Sequence, residues 1–334
     1  MIVNVLIVFI LFYCVSSVLA IRNVADNIEI KLKKDKNAAV HIVVRNKGIC
    51  PVSCCKVTVK VQNIITGIGD SFEFYTWLKS KNTRTLDFTI KDNLCGCIRV
   101  YSDGLVISDM LGIFKKKIKS DSEIKLYSWP LLYEIPISKE SADRYDMESF
   151  RYSQYRKGND SSDTFGISQY REGDSVKAIH WKLSAKTGDI MIRDYSFPVD
   201  NRIMILVDKK EYQDLELSPE DKSKSTEFAL SLSQTIIRKG IEHSIGWYDI
   251  DREAFIVKSV KTAEDINLII PEFLESPFYG RGNDVITGFI ESDSEKNYSG
   301  FILVTDGKPE TERLMEYGEV DLYRPEIYSK DSSM

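Results

Sequence analysis

Residues Ile2 to Ile21 read Ile-Val-Asn-Val-Leu-Ile-Val-Phe-Ile-Leu-Phe-Tyr-Cys-Val-Ser-Ser-Val-Leu-Ala-Ile, without a single charge. A helix rises about 1.5 Å per residue, so an apolar run of about 20 residues matches a hydrocarbon layer about 30 Å thick. A cleaved signal peptide is the rival reading, and Val18-Leu19-Ala20 has the small-residue character of a cleavage site. A signal peptide, however, has a positive n-region, and no Lys or Arg precedes this run. The cations follow it at Arg22, Lys31, Lys33, Lys34 and Lys36, which by the positive-inside rule places the following chain in the cytoplasm. The expectation is an uncleaved, single-pass cell-membrane anchor over residues 1–22, held in the bilayer through residues 2–21, with a cytoplasmic body.

The remainder is long enough for two domains: the chain has 334 residues, 43% hydrophobic and 28% charged. A net charge of −5, with no basic face carrying interleaved aromatics, argues against a nucleic-acid partner. Of the six cysteines, Cys14 lies in the apolar run, while Cys50, Cys54, Cys55, Cys95 and Cys97 fall in the next segment. They form no pair of Cys-x-x-Cys knuckles and His41 is the one histidine nearby, so a zinc site is not expected. Small buried thiols are the plain reading; a disulfide framework is the alternative if the body lies outside the cell.

Residues 23–130 show period-2 alternation rich in β-branched side chains at Ile28–Lys33, Val40–Arg45, Lys56–Val61, Thr85–Ile90 and Ile98–Tyr101. Such short strands, separated by Asn/Asp/Gly turns, read as an antiparallel β-sandwich. Residues 131–200 form a connector. Pro130 and Pro136 bracket an extended stretch, and the polar residues from Asp143 to Thr164 read as a loop or insertion. In residues 201–334 the period changes. Ile203–Val207 is a continuous apolar strand ending at Asp208, and Ser225–Lys239 is an amphipathic helix stopped by Gly240. Ile241–Tyr248 and Ala254–Val257 are strands, Thr262 with Asp265 caps a further helix, and Phe301–Val304 is a buried strand ending at Thr305-Asp306-Gly307. The fold class is multi-domain α+β, ending in a doubly wound α/β sheet whose strand-end acids Asp208 and Asp306 lie where open sheets bind ligands.

The densest segment runs from Tyr170-Arg171-Glu172-Gly173-Asp174 through Ile179-His180-Trp181-Lys182 and Ser184-Ala185 to Gly188 and Arg193-Asp194. In order and spacing it resembles the signature of the domain of unknown function 58 family. Asp109-Met-Leu-Gly-Ile-Phe114 resembles that family's turn closing its β-sandwich, and Cys95-Gly96 resembles a pair found before that strand. The resemblance implies that the last module is similar to a von Willebrand factor type A domain. It also implies a MoxR-type AAA ATPase as partner, in a chaperone-like or envelope-maturation system. A type A module often holds a divalent cation on an Asp-x-Ser-x-Ser loop. Here the loop reads Asp208-Lys-Lys-Glu-Tyr212, with both serines gone and lysines that would repel a cation. Asp208, Asp306 and Thr287 are then remnants, and neither a metal nor another cofactor is expected; the two acids would cap backbone N–H groups.

Catalysis at His180 would need an orienting acid and a nucleophile. Ser184 shares a face with His180 only if 175–186 is helical. No Gly-x-Ser-x-Gly elbow, nucleotide-binding Gly-rich loop or His-Glu-x-x-His accompanies it. The competing reading is a clasp or docking surface made by Tyr170, Arg171, Gly173, Asp174, His180, Trp181, Lys182 and Arg193. In the clasp, Trp181 buries its ring, and Arg171, Lys182 and Arg193 pair with Glu172, Asp174 and Asp194. The expected function is a membrane-anchored, non-enzymatic adaptor. An extracellular type A adhesion protein and a hydrolase using His180 are the alternatives.

Overall fold

A computed structural model describes residues 2–35, 39–90, 93–137, 151–158, 160–213, 216–292 and 298–325, with side chains withheld from description at 151–163, 165 and 196–202. The chain divides into two compact units, Met1–Ser128 and Trp129–Met334.

The first unit opens with helix α1 (Ile2–Asn27). Every residue from Ile2 to Phe12 is exposed, and the helix is long and apolar enough to cross a membrane. Eight strands follow: β1 (Ile28–Lys34), β2 (Val40–Asn46), β3 (Val52–Asn63), β4 (Gly69–Leu78), β5 (Thr83–Phe88), β6 (Gly96–Ser108), β7 (Lys115–Ile118) and β8 (Glu123–Ser128). They form two antiparallel sheets, β1-β2-β5 and β4-β3-β6-β7, with β8 also on β6. The alternation read from the sequence is the alternation of burial: Ile28, Ile30 and Leu32 of one sheet share a core with Val57, Val59 and Val100 of the other. The six cysteines are free thiols, and burial pushes the Cys55 thiol up to about 12, far from a reactive thiolate.

In the second unit, β9 (Arg151–Gly158) and β10 (Asp160–Gln169) stand where a loop was expected from Asp143 to Thr164; residues 143–150 and 159 lie outside the described residues. Both pair antiparallel with the long β11 (Met191–Val207). A sheet partner rather than a hydrophobic pattern makes these polar residues extended. A 3-10 turn (Val176–Ala178) and the short helix α2 (Trp181–Thr187) join β10 to β11. Beyond them come α3 (Pro219–Arg238), β12 (His243–Asp249), β13 (Ala254–Val260), α4 (Ala263–Glu275), α5 (Val285–Glu291), β14 (Tyr298–Val304), α6 (Glu312–Met315) and β15 (Glu319–Tyr323). The sheet order is β13-β12-β11-β14-β15, parallel except for the edge strand β13, which hairpins onto β12. The order reverses direction at β11, between β12 and β14.

Helix α3 begins six residues before the expected Ser225. Ser218 accepts from Asp221 N–H, the Asp221 carboxylate accepts from Ser218 N–H, and Pro219 fills the first position. Its Phe228, Ala229, Leu232 and Ile236 are fully buried, as their spacing requires. Glu227, Ser231 and Thr235 form a second stripe on the same helix. Their side chains accept the backbone N–H groups of Leu131, Tyr133 and Ile135, each at 3.1 Å. Every fourth helical residue advances about 6 Å and every second extended residue about 6.7 Å, so the two ladders match. The extended stretch between Pro130 and Pro136 is thereby fixed along the helix.

Candidate functional site

The signature segment and the strand-end acids occupy opposite ends of β11. At its start, the turn from Tyr170 to Met191 is locked by its own backbone. Tyr170 N–H donates to Ile190 O at 2.8 Å, His180 N–H to Met191 O at 2.8 Å, and Arg171 N–H to the Asp174 carboxylate at 2.7 Å. His180 is the N-cap of α2. Its Nδ1 accepts from Leu183 N–H at 3.1 Å, so the neutral ring carries its proton on Nε2. Ser184 Oγ donates to His180 O at 3.1 Å and accepts from Met191 N–H at 2.8 Å; its bonds are to backbone and not to the imidazole. Residues 175–186 are therefore not one helix: the 3-10 turn and α2 meet at His180. Gly188 ends α2 with φ +81°, a left-handed conformation that glycine adopts without strain. Ala178, Ile179 and Ile192 form a small core under the turn, flanked by Tyr170 and Tyr195.

Two features of the expected clasp are corrected. Trp181 does not bury its ring; it is 68% exposed. Among the described residues, Arg171, Lys182 and Arg193 make no ion pair, since the carboxylate of Asp174 is taken by the Arg171 backbone. Gly173, with φ +104°, turns the chain between these groups. In this segment Trp181, Val176, Ile190, Arg171, Lys182 and Arg193 are all exposed. An exposed large aromatic next to an exposed lysine on a turn held by its own backbone bonds is suited to holding a partner surface.

At the other end of β11, Asp208 is 2% exposed. Its Oδ2 accepts from Tyr212 OH at 2.7 Å and Thr305 Oγ1 at 3.0 Å, and its Oδ1 from Lys210 N–H at 3.1 Å. Burial pushes its pKa up to about 6 despite these donors, and Asp284 beside it acts in the same direction. Burial, with Asp208 alongside, also holds the Tyr212 phenol above its ordinary value, so it stays a neutral donor. The Tyr212 ring lies directly on Gly307, where a Cβ would come within 2.2 Å of it. Tyr212 thus packs over Gly307 beside Asp208, at the ends of β11 and β14. Asp306 follows β14; on α5, Thr287 donates its N–H to Asp284 Oδ1 at 2.7 Å and its hydroxyl accepts from Arg313 at 3.2 Å. Among the described residues, no three His, Cys, Asp or Glu side chains gather as a metal would need.

The lysine beside Asp208 does not face this site, as its place in the loop suggested. Lys209 is 1% exposed, and its Nζ donates to Phe273 O at 2.6 Å and Ser276 O at 2.7 Å, capping the C-terminus of α4. The same ammonium sits 3.8 Å from the Phe273 ring centroid. Tyr212, Thr305, Asp284 and Lys209 were missed in the sequence because each acquires its role from an element distant in the chain.

No curated protein and no solved structure matches the chain. A family model does: residues 167–277 match that of the protein of unknown function DUF58. The match runs from β10 through the locked turn, β11, Asp208 and helix α4. Over that stretch, this chain is similar to the DUF58 family.

Proposed function

We propose that this protein is a membrane-anchored, non-enzymatic adaptor, with α1 in the bilayer, a cytoplasmic body, and the turn around Trp181 as its docking face. The observation that carries the reading is Trp181, exposed next to the exposed Lys182 on a turn held by its own backbone bonds. The cations following α1 support the cytoplasmic orientation. The sheet order reversing at β11 supports a type A-like module. The partner proposed is a MoxR-type AAA ATPase. Tyr212, bonded to Asp208 and packed on Gly307, occupies the strand ends where a ligand would otherwise sit, which favours protein contact.

The full chain in detergent, titrated with a MoxR-type ATPase from the same cell, tests the proposal. Trp181→Ala combined with Lys182→Glu is expected to weaken binding about tenfold or more, since an exposed tryptophan at the centre of an interface carries a large share of its energy. Both residues are exposed, so the fold should not change. Unchanged affinity in the double variant rejects this turn as the docking face; absence of binding by the parent protein rejects the ATPase as partner.

A further inference from the structure

We infer that the turn Asp109–Phe114 is a second membrane contact, entering an anionic bilayer beside α1. The inference rests on the reading of α1 as an anchor. Met110, Leu111 and Ile113 are 84%, 66% and 62% exposed. They project from a tight turn closed by Asp109 N–H to Phe114 O at 3.2 Å and Gly112 N–H to Asp109 O at 3.1 Å. An apolar tip in water is unexceptional on a single side chain, but three together on one rigid turn mark a contact surface.

Several of the turn's backbone N–H groups are bonded within the protein. Phe114 N–H donates to Asp109 Oδ1 at 2.9 Å, Ile113 N–H also reaches the Asp109 carboxylate, and Leu111 N–H donates to Tyr13 OH at 3.3 Å. Each such bond lowers the cost of bringing irregular backbone into a lipid interface.

The turn is also tied to the anchor. Tyr13 OH donates to Asp109 Oδ2, joining the middle of α1 to the base of the turn. From Tyr13 onward one side of α1 (Cys14, Ser17, Ile21 and Val24) is covered by its own unit, while Val15, Val18 and Leu19 remain exposed on the other. Residues 2–12 rise only about 16 Å, roughly half the hydrocarbon thickness. With α1 immersed, the turn pinned to Tyr13 meets the same lipid.

Charge complementarity names the lipid. Lys115, Lys116, Lys117 and Lys119 follow the tip and are all exposed. They lie about 7 to 20 Å beyond Ile113 along an extended chain, within reach of headgroup phosphates once their side chains stretch toward the surface. An apolar wedge backed by lysines is the pattern of an interfacial contact with anionic lipid.

Photo-crosslinking tests this on the full chain, reconstituted in vesicles of phosphatidylcholine and phosphatidylglycerol. Benzoylphenylalanine is placed singly at 111, at 9 on α1, and at 81 on an exposed sandwich turn, and lipid adducts are read by mass spectrometry. Adducts at 9 and 111, with none at 81, are the expected result. Adducts at 9 alone overturn the second contact and leave the anchor standing; adducts at neither position remove both. Protein crosslinks at 111, joining two copies of the chain, overturn the lipid assignment. Lys115→Gln with Lys117→Gln is expected to reduce adducts at 111 about threefold or more, and no reduction overturns the anionic component.

Discussion

Replacing Lys209 with methionine is expected to destabilise the α/β unit by about 3 kcal/mol, the cost of losing charge-assisted hydrogen bonds at a buried site. The methionine stem fills nearly the same volume, so the loss is polar rather than a cavity. It deprives Phe273 O and Ser276 O of the ammonium donor at 2.6 and 2.7 Å and removes a cation from the C-terminus of α4. Hydrogen exchange of the β12 amides, which are internal to this sheet, reads the change for this unit separately from the sandwich. Protection equal to that of the parent protein would reject the capping role. Lys210→Met is the control, because Lys210 is only partly buried and makes no bond through its ammonium to α4; its effect is expected to stay within about 0.5 kcal/mol.

Asp208 and His243 are expected to give opposing pH dependences that separate only in single variants. Burial raises Asp208 from 3.8 to about 6 and lowers His243 from 6.5 to about 4. The stabilising contribution of protonated Asp208 is fully present below its unfolded pKa and is lost as pH rises through about 6. The contribution of neutral His243 is present above its unfolded pKa and is lost as pH falls through about 4. Each shift is worth about 3 kcal/mol at 1.36 kcal/mol per unit, so between pH 4 and 6.5 the two largely cancel.

Asp208→Asn leaves the histidine alone in that window, and stability should fall by about 3 kcal/mol as pH drops from 6.5 to 4. His243→Gln, which retains an acceptor for the Ser233 hydroxyl now 2.7 Å from Nε2, should show the reverse, with stability rising as pH drops. Thermal unfolding across this range measures both. Parallel profiles in the parent and the two variants would mean that neither group titrates on folding.

The locked turn illustrates how far residue types alone carry a site. Gly188 and the run from Tyr170 to Arg193 mark a special backbone by their composition, and the turn is there. The fate of Trp181 was not legible: an aromatic beside a histidine is buried or exposed according to whether an element packs over it, and its ring is exposed. The start of α3 was legible and overlooked, since Ser218-Pro219-Glu220-Asp221 is a capping box with proline at the first helical position. Strands β9 and β10 were not, because their polar residues are extended by pairing with β11 rather than by a hydrophobic face.

The sequence by itself determined the long apolar N-terminal helix by its uncharged run, and the two-sheet module and the apolar strands β11 and β14 because burial demands a periodicity that is written residue by residue. Only the tertiary structure decided what the polar residues do. Lys209, adjacent to Asp208 in the chain, caps a helix that ends 66 residues later; Tyr212 packs over Gly307; Glu227, Ser231 and Thr235 hold an extended strap. A hydrogen bond or an ion pair needs its partner within about 3 to 4 Å, and which groups meet at that distance is fixed by packing, not by spacing along the chain.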